Sequence, residues 1–557
     1  MMYKCPNCAG NLKFDIARQK LHCEYCDTKM DPYGFYQEKD AEEGKGASGE
    51  YKVTVFTCPQ CGSELISEDT TAATFCSFCG ATAILDSRIS RERRPECIIP
   101  FTKTKEDCRA AYGKLLRWAI FAPKELKDET LIEKFRGIYM PYWVYSFEKK
   151  EHISFLGKKT HRKGDYLLTD HYQLDCDVEE DYKGLAYDAS SAFSDSLSNA
   201  IAPFDLRQEK SFTPSFLSGF YADTSDVDKF VYMSDAEKFV IQDACERLLR
   251  EPVCGKCGVG RPGDEYIIEN ALRPDKKTAR LAMLPVWFLS YRNKDRVSYA
   301  VVNGQTGKAA ADLPVDGKKY LAGSFLLAVP LFFLLNLSFT ITPGALLLIA
   351  AVLAFLCVLI SNGQMNHILA RESGEDDKGL ASTREFRARN TQWKWNRKKK
   401  NPGLWNNGIG RILLAVLGVY LMSWLFVGFA RLADVLAGIG MIGSSSTMFY
   451  FIILLIILSN FVKGRSSRRR GRSSDKKSLG GGHFKEKRLV LVKPLGGIAL
   501  AVIILLVNPV SDWFYYIGAF VCMGMVLWAI MDIIRQHNLL TTRKLPQLNR
   551  RGGDEHA

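Results

Sequence analysis

Eight of the sixteen cysteines in this chain of 557 residues fall into two groups with one internal spacing. Cys5-x2-Cys8, fourteen residues and Cys23-x2-Cys26 form the first. Cys58-x2-Cys61, fourteen residues and Cys76-x2-Cys79 repeat it 53 positions later. A tight Cys-x2-Cys turn offers two thiolates to one ion, and two such turns complete a tetrahedron, which is the signature of a zinc ribbon. Pro6 and Pro59 shape the first turn of each group, and Gly62 and Gly80 relieve the backbone after a second cysteine. Disulfides and an iron–sulfur centre are the alternatives. The topology argued below puts these cysteines in the reducing cytoplasm, which disfavours disulfides. Units this small bury too little apolar surface to fold alone, so the metal supplies the stability. Four thiolates close the coordination sphere and leave no place for a catalytic water. Two structural Zn2+ ions are therefore expected.

The other reactive residues carry weaker signals. Cys254-x2-Cys257 is expected in a loop rich in proline and glycine, residues 252–263. Such a pair can be a redox couple, half of a metal site or two thiols in a turn. Cys176 and Cys245 are badly spaced to complete it, and the glycines argue against the helix start that a thioredoxin-like site needs. The acidic run 175–181 reads as a solvated strand end. His152, His161 and His171, about ten residues apart, read as surface residues. There is no nucleophile elbow, P-loop or dinucleotide fingerprint. The chain is expected to be non-enzymatic.

The elements around these residues divide the chain. Residues 1–36 and 53–90 are the two ribbons, and 37–52 is a linker whose Glu, Lys, Gly and Ser content predicts flexibility. Residues 97–317 predict one α+β domain. Helical spacing of Cys108, Ala111, Tyr112, Leu115, Leu116 and Ala119 predicts a helix over 105–119 capped by Thr104. A second helix is predicted over 237–250. Residues 137–147 (GIYMPYWVYSF) and 281–292 (LAMLPVWFLSYR) read as strands. Both contain Pro-x-Trp, which suggests an edge or a bulge and hints at two related sheets. Asn303-Gly304 signals a tight turn.

From residue 320 the pattern changes. Six apolar runs, at 320–339, 343–360, 412–430, 441–462, 489–507 and 513–534, predict an all-α transmembrane region of six helices, since about 20 apolar residues cross the hydrocarbon core. Lys493 weakens the fifth, leaving whether it crosses open. The connecting loops 362–411 and 463–493 are basic and the others are short and nearly uncharged, which places the basic loops, both termini and the tail 535–557 in the cytoplasm of a multi-pass inner-membrane protein. The formal net charge of +14 belongs to this half. The basic segments 384–400 and 464–482 suit anionic lipid. The runs hold few ionisable groups at membrane depth, which favours an anchor over a carrier. Met1–Cys8 has no apolar core of a cleavable signal peptide. The ribbons are close to neutral or acidic, and a tetrathiolate zinc site adds about −2, so the basic footprint that phosphates require is missing, which argues against nucleic acid as a partner.

A resemblance rests on residues of the first 360. Phe121-Ala-Pro-Lys-Glu-Leu-Lys127, the GIYMPYWVYSF strand, Ala200-Ile-Ala-Pro-Phe-Asp205, Leu217-Ser-Gly-Phe-Tyr-Ala-Asp223 with Asp226-Val227, Leu284-Pro-Val-Trp287, Val302-Asn-Gly-Gln-Thr-Gly307 and Asp312-Leu-Pro-Val-Asp316 are similar to bacterial zinc-ribbon (TFIIB-type) membrane proteins of the YdjG type. The extra apolar hairpins are a departure from shorter relatives. The resemblance implies a membrane anchor that works with PspA-like and SPFH (flotillin-like) proteins in envelope stress. Membrane-tethered transcription-linked function is the alternative, followed by a redox or transport role.

Overall fold

The computed structural model describes residues 3–34, 50–67, 76–80, 86–259, 265–293, 295–336, 342–372, 376–382 and 481–544. The chain divides into two units, one of residues 1–332, 364–388 and 534–557, the other of 333–363 and 389–533.

In the first unit β1 (Leu12–Asp15), β2 (Lys20–Cys23) and β3 (Lys29–Met30) form a small antiparallel sheet. Leu12 and Phe14 alternate inward with Leu21, as a half-buried strand pair requires. Then follow β4 (Glu50–Thr57), β5 (Glu64–Ile66), β6 (Asp86–Arg93), β7 (Cys97–Ile98), α1 (Lys105–Trp118), α2 (Glu129–Ile132), β8 (Arg136–Lys163), β9 (Tyr166–Asp188), α3 (Asp195–Ile201), β10 (Lys210–Ser211) and β11 (Tyr221–Asp223). Helices α4 (Met233–Arg250), α5 (Pro252–Cys257) and α6 (Glu265–Ala271) precede β12 (Lys276–Asn293), β13 (Arg296–Asn303) and β14 (Ala309–Ala311). Twelve strands make one sheet along the order β10-β7-β12-β8-β11-β5-β4-β6, with β9 on β8, β13 on β12, and β14 and the late strand Arg543–Lys544 on β13.

Thr104 caps α1 as its sequence predicts, in a capping box with Asp107, and Cys108, Tyr112 and Leu116 form the buried stripe. The helix expected over 237–250 begins four residues earlier, at Met233. The Asn303-Gly304 turn is closed by the Asn303 carboxamide oxygen, which accepts from the amides of Gln305 and Thr306 at 2.9 Å each.

The two Pro-x-Trp strands are central, and they pair with each other in one sheet rather than marking two. Pro141 lies opposite Met283, and Pro285 opposite Tyr139. Each proline sits where its strand changes neighbours. On β8, β11 pairs at Ile138 and Tyr139, and β9 takes over from Tyr142. On β12, β7 pairs at Ala282 and Met283, and β13 takes over from Val286. A missing N–H facing such a gap interrupts no ladder, which is how an interior strand tolerates proline.

The sheet buries both faces. Ile138, Met140, Tyr142 and Val144 of β8 point to one core with α3, and Tyr139 points to another that includes α1. The acidic run 175–181 lies in the middle of β9, not at a strand end, with Asp175, Asp177, Glu179 and Asp181 on the exposed face. Crossing into the second unit, α7 (Gly317–Asn336) and α8 (Pro343–Glu372) follow β14, and α9 (Lys378–Ser382) returns to the first unit. The chain is described again from α10 (Gly481–Val507), α11 (Asp512–Leu540) and β15 (Arg543–Lys544).

Among the described residues three helices are long and apolar enough to cross a membrane: Gly317–Leu334, Pro343–Ile368 and Asp512–Leu540. They correspond to the first, second and sixth apolar runs. The fifth run is helical, and among the described residues its apolar stretch is Pro494–Val507, shorter than a full span. The expected spans at 412–430 and 441–462, and the basic segments 384–400 and 464–480, lie outside the described residues. So does most of the linker, although β4 already begins at Glu50. Within the second unit Ala350, Ala354 and Cys357 of α8 pack with Ile498 of α10 and Cys522, Val526 and Ala529 of α11. Small residues of this kind let apolar helices approach closely.

Candidate metal centres

Four knuckles of one design hold the eight cysteines. In each, the residue after the second cysteine donates its amide to the carbonyl of the first: Ala9 to Cys5, Asp27 to Cys23, Gly62 to Cys58 and Gly80 to Cys76. Those four residues all have left-handed backbone, with φ of 55°, 55°, 71° and 71°. The turn carries the chain back past the thiols and aims both sulfurs of a pair at one point.

The sulfurs of each quartet lie within 4.8 Å of one another. Across the second site Cys58 and Cys79 are 3.8 Å apart, and Cys61 and Cys76 3.7 Å. A tetrahedron with Zn–S bonds of about 2.3 Å has edges of roughly 3.8 Å. The first site is slightly tighter, at 3.4 Å for Cys5–Cys26 and for Cys8–Cys23. Donor type, number and spacing therefore fit two zinc ions, held by Cys5, Cys8, Cys23 and Cys26 and by Cys58, Cys61, Cys76 and Cys79.

Protons cannot be shared evenly among crowded thiols. In the first site the Thr28 hydroxyl lowers Cys26 to about 6. Cys8 is pulled down by the Gly10 amide, but contact with the Cys26 and Cys23 sulfurs takes it up to about 12. In the second site contact with Cys61 lowers Cys58, and contact with Cys58 raises Cys61. A divalent ion removes the conflict by letting all four ionise.

The two sites differ in what surrounds them. Cys8 and Cys26 of the first are exposed, and Tyr25 beside them is 80% exposed. All four ligands of the second are buried, none more than 3% exposed. They belong to the core of the main sheet: Phe78, between two ligands, packs edge-on against Phe288 of β12, and the Tyr299 hydroxyl of β13 donates to the Phe78 carbonyl at 2.9 Å. β5, which follows the first knuckle, pairs with β11. Spacing alone shows a self-contained ribbon, whereas its strands are continuous with the domain. The first ribbon keeps its own sheet but also packs on the domain, Phe14 lying 5.3 Å from Phe216.

Cys254 and Cys257 lie on helix α5, not in a loop. Pro252 supplies its first turn and Gly258, at φ 66°, ends it, so one of the glycines that argued against a helix serves as its cap and another, Gly255, lies inside it. Burial pushes the Cys254 thiol up, and Cys176 and Cys257 add to this. That is the opposite of an activated redox thiol. Neither cysteine joins a ligand group of three or more among the described residues. His152 and His161 pair with Asp177 and Asp170 on the open ribbon of β8 and β9.

The structure also assembles a carboxylate cluster with no spacing signal. Asp188 at the end of β9 is 2% exposed, and its Oδ2 has no hydrogen-bond partner among the described residues. Asp195 of α3 accepts from the Tyr232 hydroxyl at 2.6 Å and from the Lys378 amide at 2.9 Å. Lys378 also pairs with Asp235. Asp377, beside it, is buried and accepts from the Leu380 amide at 2.9 Å. Burial and then Asp195 push Asp377 up to about 7, and burial, Asp195 and Asp377 push Asp188 well above the carboxylate range. The cluster fastens α9, beyond the second apolar helix, to the α+β domain.

Comparison with known proteins gives one relative. The chain is 27% identical over 325 residues to the uncharacterized protein YdjG of Bacillus subtilis (strain 168), an alignment that covers 58% of this chain and 92% of that protein. No family model matches, and no solved structure matches.

Proposed function

We propose that the protein is a non-enzymatic, multi-pass membrane scaffold that presents two structural zinc ribbons and an α+β domain on the cytoplasmic side of the inner membrane and recruits partner proteins there. The observation that carries this reading is the coordination itself. Both quartets are all-thiolate, and the second lies in the domain core, so neither offers an open position for a reacting ligand. The basic loops support the orientation. The resemblance to YdjG-type proteins supports PspA-like and SPFH-like partners in an envelope-stress setting.

The first ribbon is the better candidate for the contact, because Tyr25 and its two exposed ligands lie at the surface. The test is a crosslinked pull-down from solubilised membranes, read by mass spectrometry, with wild type, Tyr25→Ser and the pair Cys8→Ser/Cys26→Ser. Partner proteins recovered with wild type and lost with Tyr25→Ser support a scaffold that works through this ribbon. Retention in all three moves the contact to the α+β domain. Recovery of polymerase subunits or nucleic acid in place of membrane-associated proteins sinks the scaffold.

A further inference from the structure

Strands β8 and β9 outrun the sheet. Pairing of β8 with β12 ends at Glu148, but β8 and β9 stay paired as far as Lys163 and Tyr166. From Lys149 onward this is a two-stranded ribbon roughly 50 Å long. Helices α4 and α6 cover one face of its stem, burying Ile153 and Phe155 against Ala244, Cys245, Ile268 and Leu272. The end of α5 closes on the ribbon at Gly157, where a Cβ would fall 2.2 Å from the Cys257 carbonyl oxygen. Past that point both faces are open. The turn itself is tight: Lys163 pairs with Tyr166, and Gly164 takes φ 62°.

The exposed tip is not polar, as an ordinary solvent-exposed ribbon would be. Leu156, Tyr166 and Leu167 are each at least 73% exposed and Leu168 is 41% exposed. Around them stand Lys158, Lys159, Arg162 and Lys163, against Asp165 and Asp170. His161 pairs with Asp170 at 3.4 Å, and Arg162 reaches Asp165 only at 4.0 Å. Lys158, Lys159 and Lys163 have no acidic partner among the described residues. The stem behind is acidic, with Asp175, Asp177, Glu179 and Asp181 on its exposed face. An isolated two-stranded ribbon is marginal in water, so this tip suits a surface that covers its apolar residues and matches its charge.

We infer that the tip of the β8–β9 ribbon docks on an anionic lipid bilayer, with Tyr166, Leu167 and Leu168 in the interfacial layer and the four basic residues against lipid phosphates. Apolar residues flanked by lysine and arginine are the chemistry of interfacial attachment. The acidic stem is repelled by the same surface, so the charge gradient along the ribbon directs it tip first. A second copy of the tip would bring basic residues against basic residues. Single-stranded nucleic acid is held by successive aromatic platforms, and the tip offers one exposed aromatic ring, Tyr166, among leucines.

The full chain is reconstituted in vesicles of phosphatidylcholine with or without phosphatidylglycerol, carrying a photoreactive residue at position 167 or, as control, at position 152 of the stem. Insertion of the apolar helices is verified separately by protease protection, so loss of the membrane reading and loss of the docking reading are distinguishable. Docking gives lipid adducts at 167 and not at 152, dependent on phosphatidylglycerol. It also makes adduct yield fall roughly fivefold for each of Lys158→Gln, Lys159→Gln and Lys163→Gln. Adducts at 167 that are protein instead of lipid, or lipid adducts indifferent to phosphatidylglycerol and to these substitutions, overturn it. The three lysine side chains are exposed, so the variants keep the fold, and zinc content verifies this.

Discussion

The four knuckle residues after the second cysteines show how one backbone demand is met by different side chains. Ala9, Asp27, Gly62 and Gly80 all adopt left-handed φ, which costs a residue with a Cβ about 1–2 kcal/mol. The second site uses glycine at both positions and has little room to spare, since a Cβ on Gly80 would approach Arg292 Cβ to 3.3 Å. Gly80→Ala is therefore expected to destabilise the zinc-bound protein by about 1–2 kcal/mol, read as a fall in the denaturation midpoint at unchanged zinc content. Ala9→Gly relieves strain but gains unfolded-state entropy, and the two nearly cancel. A Gly80→Ala midpoint equal to wild type would rule out strain at this position. These ligands were legible in the sequence because a knuckle is local: the two residues between the cysteines set the geometry. Asp188, Asp195 and Asp377 were not, because β9, α3 and the segment before α9 bring them together across nearly two hundred positions with no recurring interval.

At the scale of elements, α9 is held by groups whose protonation matters. The carboxyls of Asp377 and Asp188 are raised in the docked state, which therefore binds more protons than the undocked one. Docking is strongest below the ordinary carboxylate range, weakens as pH rises from about 4 through about 7 while Asp377 ionises, and weakens again where Asp188 does. Asp195, Asp235 and Tyr232 face the cluster from the domain, and Lys378 and Arg543 supply the nearby positive charge. Hydrogen exchange of residues 376–382 is expected to speed up between pH 5 and pH 7 beyond the intrinsic base-catalysed rise, and Asp377→Asn to flatten that excess. An excess unchanged in the variant would remove Asp377 from the latch. Helix packing gives a second element-scale expectation. A Cβ on Gly518 of α11 would lie 2.3 Å from Ile504 Cδ1 of α10, whereas nothing lies within 4 Å of one on Gly524. Gly518→Val should cost about 1–3 kcal/mol and expose buried Cys522 to maleimide at lower temperature, and Gly524→Val should leave labelling unchanged. Equal labelling of the two variants would deny the close approach of these helices. Apolar run length located α10 and α11 as elements, but only the contact surface separates these two glycines, since both sit in similar apolar sequence.

At the scale of the molecule, the two ribbons look alike in sequence and are coupled differently to the fold. Equal spacing encodes equal coordination. It says nothing about what covers the site, because that depends on β5 pairing with β11 and on Phe288 and Tyr299, which arrive more than two hundred residues later. Removing one partner from a buried thiolate cluster leaves uncompensated charge in the core of the main sheet, whereas the first site loses a surface-facing ion and keeps the domain behind it. Cys76→Ser is accordingly expected to abolish cooperative unfolding of the whole α+β unit, and Cys26→Ser to release one zinc while β8 and β12 stay protected from exchange. A chelator should likewise remove one ion quickly and the other only at the rate of global unfolding. Two ions lost together, with the sheet intact, would mean that the second site is a detachable ribbon after all. The asymmetry also bears on the proposed scaffold. A site built into the core cannot release its metal without dismantling the domain, so any partner-dependent or stress-dependent loss of zinc must act at Cys5, Cys8, Cys23 and Cys26, where Cys8 and Cys26 meet solvent.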